Sequence, residues 1–169
     1  TTDVNCDFRI VVDTRANQPP NAFQTLDDTG QPVLGFNVAL LRDVRNSDEL
    51  AFVFGHEAAH HIRGHLARQQ SSAIAGSIVG GIFAAVLGAD AGAISAAQDL
   101  GTVVGARGYS KAHELEADKL GAILAEQAGY DAVKGAQYFL RIPDPGDVFL
   151  GTHPPNGDRI QTVRNAVGR

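Results

Sequence analysis

The sequence predicts an α+β fold: a small antiparallel or mixed sheet packed on one histidine-bearing helix, with a mainly helical remainder. Two observations carry this. Runs that read as strands fall in the segment 8–38, and from position 46 on apolar residues recur at helical spacing. No linker is long enough to divide the 169 residues, so one domain, 1–169, is expected, with a helical Ala/Gly-rich insertion at 71–106.

Residues 8–13, Phe-Arg-Ile-Val-Val-Asp, read as a strand. After a loop around Pro19-Pro20, residues 21–26 and 32–38 read as two more, separated by the turn Asp27-Asp28-Thr29-Gly30. Asn46 followed by Glu49 has the capping-box pattern and opens a helix expected to run from 47 to about 69. Residues 71–106 are rich in Ala, Gly, Ile and Val. The uncharged run 69–89 is nominally long enough to span a bilayer, but its Ala, Gly and Ser content favours a buried helical hairpin or a mobile lid. Residues 109–128 read as a helix stopped by Gly129, and Asp131 caps another reaching about Arg141. Breaks at 142–146 and 154–157 precede a last helix over 158–167.

Composition narrows the function. Apolar residues make up 44% of the chain and charged residues 20%, a globular balance, and the net charge of −5 with no basic stripe argues against nucleic acid. The single cysteine, Cys6, excludes an internal disulfide and a cysteine-rich metal cluster, so a metal site must use histidines and carboxylates. With no methionine, Thr1 reads as a boundary left by processing or engineering, and residues 1–20 lack the profile of a signal peptide. Oligomeric state leaves no signature.

The chemistry concentrates at His56-Glu57-Ala58-Ala59-His60. Residues four apart on a helix share a face, so both imidazoles can reach one ion. Glu57 is rotated by about 100° and can touch a water on that ion instead. This is the H-E-x-x-H logic of zinc hydrolysis, with one Zn²⁺ per chain and the glutamate as base. His61 and His65 are also four apart and could bind a metal, but they lack an acid in the base position, and the preferred reading is packing or hydrogen bonding behind the site. No third histidine follows at short spacing, so a distant carboxylate is expected to complete the three protein ligands of catalytic zinc. The segment Glu114-Leu115-Glu116-Ala117-Asp118 offers it: Glu114 and Asp118 share a helical face and Glu116 points away. One acid can bind metal while the other, one turn on, orients a ligand histidine.

With these motifs in order, the sequence resembles the gluzincin endopeptidases that include the CAAX prenyl protease, HtpX and soluble periplasmic relatives. The resemblance covers about Asn21 to Arg164: Asn21-Ala22-Phe23, then Asp48-Glu49-Leu50-Ala51 into His56–His60 and on to His65, then Ser110-Lys111-Ala112-His113-Glu114-Leu115-Glu116-Ala117-Asp118, then Ala128-Gly129-Tyr130-Asp131, and finally Thr152-His153-Pro154-Pro155 with Arg159. Lys111 stands where the family usually has arginine. The resemblance implies that His56, His60 and Glu114 hold the metal, that Asp118 supports a ligand from behind, and that His153 and Arg159 lie over the active site. It also implies a polypeptide substrate extended along Asn21–Phe23 or the strand 32–38. Integral-membrane members carry spans where this chain has 71–106. Here that segment looks like the soluble branch, implying a periplasmic or otherwise extracytoplasmic location after removal of an upstream signal peptide, with membrane association not favoured.

Three functions follow as expectations. The first is a zinc endopeptidase acting on unfolded or misassembled polypeptides. The second is a latent zinc-bound chaperone or assembly factor whose site is covered by 71–106 or blocked by His153, and the third is a structural zinc domain. Glu57 favours the first, because a binding module has no use for a base.

Overall fold

The computed structural model describes residues 4–144 and 153–169, with the side chains of 103–110 outside that description. Three strands, β1 (Arg9–Asp13), β2 (Ala22–Leu26) and β3 (Pro32–Asn37), form a sheet of order β1-β3-β2. β1 runs parallel to β3 and β2 antiparallel to it, so the sheet is mixed. The β2–β3 turn closes on Asp27, whose Oδ1 accepts from the amides of Thr29 (2.9 Å) and Gln31 (3.0 Å). Central β3 is buried along its whole length. The far end of the Phe23 ring lies over Gly35, where a Cβ would fall 2.2 Å from it, so a larger residue there would force the ring to shift. Among the described residues no strand pairs with the outer edge of β2.

The third strand stops one residue earlier than its apolar run suggests. Asn37 Oδ1 accepts from the Leu40 amide at 2.8 Å and starts a short helix, α1 (Val38–Asp43). Asn46 caps α2 (Ser47–Ile62) in the same way, at 3.0 Å to the Glu49 amide. The expected helix over 47–69 is in fact two. Gly64 adopts φ +63° and breaks it, and α3 (His65–Val86) leaves in a new direction.

α4 (Ala91–Gln127) takes in both the second half of the Ala/Gly-rich segment and the helix expected at 109–128. α3 and α4 form a hairpin turned at Gly88 (φ +76°) and restarted by the Asp90 cap. Small residues make its seam: a Cβ on Gly80 would meet Ala97 O at 2.2 Å, and one on Gly101 would meet Gly76 O at 2.2 Å. The expected burial fails, because Ile78, Val79, Ile82, Phe83, Val86 and Leu87 face outward and are exposed. Among the described residues no helix is long and apolar enough to cross a membrane.

α5 (Ala132–Gly135) is capped by Asp131 and tightens into a 3-10 turn over Ala136–Leu140, where an α-helix to Arg141 was expected. α6 (Asn156–Val167) begins two residues before Asp158. Pro145, Gly146 and Thr152 lie outside the described residues. The core has two parts on either side of α2: Phe52, Phe139, Val163 and the alanines of α4 and α5, and Leu34, Phe36, Leu40, Val53, Ala58 and Tyr138 against the sheet. α2 is therefore held on both faces, which fixes the direction of whatever it presents.

Candidate metal centre

The site begins where two helices touch. A Cβ on Gly121 of α4 would lie 2.7 Å from His56 N, and one on Gly55 would lie 2.7 Å from Gly121 O. Backbone meets backbone at this crossing. Gly55 precedes His56, while Asp118 and Glu114 lie about one and two turns before Gly121 on the same face of α4. The crossing thus aims residues 58 positions apart in sequence, His56 and Glu114, at one point.

His56 Nε2, His60 Nε2 and one oxygen of Glu114 all lie within 4.8 Å of one another. The separations are 3.0 Å between the two Nε2 atoms, 3.3 Å from His60 Nε2 to Glu114 Oε1 and 3.5 Å from His56 Nε2 to Glu114 Oε2. Metal–ligand bonds of roughly 2.0–2.1 Å put tetrahedral donors roughly 3.3–3.4 Å apart; the separations here, one to each Glu114 oxygen, are near this, so the three residues could hold a small divalent cation. Glu116 is turned away, as expected, towards Arg68 (2.7 Å) and Arg63 (3.6 Å).

Behind His56 stands the fully buried Asp118, with Oδ1 2.9 Å from Nδ1. Asp118 in turn takes a bidentate grip from Arg159, Nε to Oδ2 at 2.7 Å and NH2 to Oδ1 at 2.8 Å. Arg159 is buried too, its guanidinium 3.9 Å from the centroid of the Phe139 ring and 3.3 Å from Glu114 Oε2. An ionised Asp118 only accepts, so His56 carries its proton on Nδ1 and its Nε2 lone pair faces the centre.

The electrostatics run the same way. Burial disfavours a charged His56, but the hydrogen bond and charge of Asp118, with Glu114 beyond, outweigh it and raise its pKa. Burial would push the Glu114 carboxyl up, yet His153, His60, His56 and Arg159 hold it far below the ordinary range. Asp118 is lowered against its burial by His56 and Arg159. Carboxylates kept charged around two imidazole lone pairs favour a cation. Glu57 differs: burial raises its carboxyl, with His56 and His60 pulling only partly back.

The remaining expected residues border the same space. A cavity of about 490 Å³ is lined by Asn21, Ala22, Val53, Glu57, Tyr138 and His153 among others, and a smaller one on the other side by Gln24, Glu57 and His60. Asn21 and Ala22 therefore stand at the cleft, whereas the Phe23 ring lies over Gly35. His153 is half exposed, with Nδ1 3.2 Å from Glu114 Oε2. His61 packs edge-on against Phe8 and bonds Asn5 O through Nε2 at 2.8 Å. The sequence reading missed the Gly55–Gly121 contact. Its signal was a glycine directly before the histidine motif and another two turns after Glu114, on that residue's face.

Against this geometry, the model of peptidase family M48 matches residues 4–167. The chain belongs to that family. Peptidases of that family are metal-dependent, and the three converging donors form a group that could hold a metal ion. A Vibrio cholerae relative is 30% identical over 182 residues, covering 95% of this chain and 37% of its own length. The beta-barrel assembly-enhancing protease of Escherichia coli (strain K12) is 30% identical over 145 residues, 78% of this chain and 30% of that one. The human mitochondrial metalloendopeptidase OMA1 is 28% identical over 142 residues, 75% of this M48 chain and 27% of its own. The chain spans about a third of the length of these relatives.

Proposed function

We propose that this chain is a zinc-dependent endopeptidase hydrolysing peptide bonds of unfolded or misassembled polypeptides. The observation that carries the reading is the convergence of His56, His60 and Glu114 at ligand spacing with Glu57 beside them. A bound zinc would polarise the scissile carbonyl and acidify the attacking water. Glu57 would take that water's proton and pass it to the leaving amine, and the burial that raises its pKa favours proton uptake. Asp118 and Arg159 hold His56 so that its Nε2 lone pair would face a bound zinc.

An extended substrate would lie along the outer edge of β2, adding a strand beside Asn21 and Ala22 and dropping alternate side chains into the cleft. The beta-barrel assembly-enhancing name of a relative is consistent with misassembled proteins as substrates, and an extracytoplasmic location is part of the same reading. A latent state, the chain then serving as a chaperone or assembly factor, has one observation in its favour: His153 already sits on a ligand carboxylate.

Metal analysis combined with cleavage of casein or a peptide library, with and without chelator, tests the proposal. Wild type should hold about one zinc per chain and lose activity with chelator. Glu57→Gln should keep the zinc and lose turnover by roughly 10²–10⁴-fold, because an amide cannot take the proton. Comparable cleavage by Glu57→Gln would refute the assigned base.

A further inference from the structure

The two ligand histidines are supported differently. His56 has a carboxylate behind it, whereas His60 has another imidazole: His65 Nδ1 lies 2.9 Å from His60 Nδ1. Away from the point where a cation would sit, two ring nitrogens at that distance share a single proton, so one is N–H and the other a lone pair. The next contact decides which. His65 Nε2 lies 3.2 Å from Glu116 Oε2, and Arg68 donates to the same oxygen at 2.7 Å. A carboxylate paired with arginine can only accept, so His65 carries its proton on Nε2 and leaves Nδ1 bare. His60 must then carry its proton on Nδ1, which frees its Nε2 lone pair for the point where His56 and Glu114 converge.

We propose that His65 and Glu116 form a relay that fixes the tautomer and ring angle of His60, making both of them positioning residues for the metal. The relay does for His60 what Asp118 does for His56, but through two side chains because α2 ends at Ile62. His65 begins α3 just beyond the left-handed Gly64, and the change of direction there brings its ring back beside His60, with 4.9 Å between centroids and an interplanar angle of 77°. His65 is itself clamped, buried and stacked on His113 with centroids 4.4 Å apart and planes 8° from parallel. Glu116 takes part because it shares α4 with Glu114 but sits on a different face. One helix thereby supplies a ligand, the partner of one ligand histidine and the end of the chain behind the other. The proposal rests on the metal reading of His56, His60 and Glu114.

The test measures zinc affinity of the whole chain by competition with a chromophoric chelator, for wild type, His65→Phe, Glu116→Gln and His61→Phe. His65→Phe keeps a ring against His113 but leaves His60 Nδ1–H without an acceptor, and affinity should fall about 10- to 100-fold. Glu116→Gln should cost about tenfold, since an amide can also donate and no longer dictates the His65 tautomer. This partly exposed position keeps the proposal falsifiable should His65→Phe fail to fold. His61→Phe should leave affinity unchanged. A second readout is the ¹⁵N spectrum of the zinc-loaded protein, where His60 should show Nδ1–H hydrogen-bonded to a bare His65 Nδ1. Failure of wild type to bind zinc would overturn the metal reading and the relay together. Zinc binding by wild type, with affinity unchanged in both His65→Phe and Glu116→Gln, would overturn the relay alone.

Discussion

Replacing Gly121 with alanine should disable the centre without touching any ligand. The added Cβ would sit 2.7 Å from His56 N, 2.9 Å from Gly55 C and 2.9 Å from His56 Cα, all backbone atoms with no rotamer to yield. Ordinary contact begins at 3.4 Å, so α2 and α4 must separate by about 0.7 Å. A metal site tolerates only about ±0.2 Å in its ligand distances, so a displacement of this size pulls Glu114 away from the two histidines. The overpacking should also cost about 1–3 kcal/mol, which for a chain of this size lowers Tm by roughly 2–12 °C. Chelator competition and thermal melts of the apo and zinc-loaded protein would measure both effects. Loss of zinc affinity should exceed what the apo destabilisation explains, since the metal is sensitive to a shift that the core can partly absorb. Wild-type zinc affinity and an unchanged apo Tm would refute the view that the backbone crossing sets the ligand geometry.

Two further outcomes are expected. Glu49 is buried and bound by Arg141 at 2.6 Å through both oxygens, and these contacts lower its pKa against the opposing effect of burial. A depressed folded pKa contributes stability above the ordinary glutamate range that is lost as pH falls through the folded value, so acid denaturation of the apo protein should flatten in Glu49→Gln. The check is urea unfolding from about pH 6 to about pH 3, spanning the ordinary glutamate range, and an unchanged slope would show that this pair contributes nothing to acid sensitivity. His153→Ala should lower turnover at matched zinc content if the residue hydrogen-bonds the oxyanion, and raise it if the residue latches the site. We expect the fall, by about 10-fold or more, and steady-state cleavage by zinc-loaded protein decides between the two.

Much of the centre was legible in the linear sequence because the relevant spacing lies within one helix. His56 and His60 share a face by helical geometry alone, and so do Glu114 and Asp118, so the pairs hold whatever the rest of the chain does. The capping residues at 46 and 131 were readable for the same reason: a cap acts over three residues. The small mixed sheet followed from β-branched runs, although the parallel pairing of β1 with β3 did not, since strand order is set by long-range packing.

Tertiary structure decided everything that depends on where one helix meets another. Gly64 ends α2 because its left-handed backbone redirects the chain, an outcome that apolar periodicity across 47–69 does not register. The outward-facing Ile, Val and Phe side chains of the hairpin follow from the glycine seam, which brings the two backbones too close for bulky residues between them. Bringing Glu114 to His56, Arg159 to Asp118 and Glu116 to His65 required the Gly55–Gly121 crossing and the docking of α6 against the core. Helical spacing shows which side chains point the same way, and only the packing of backbones shows what they point at.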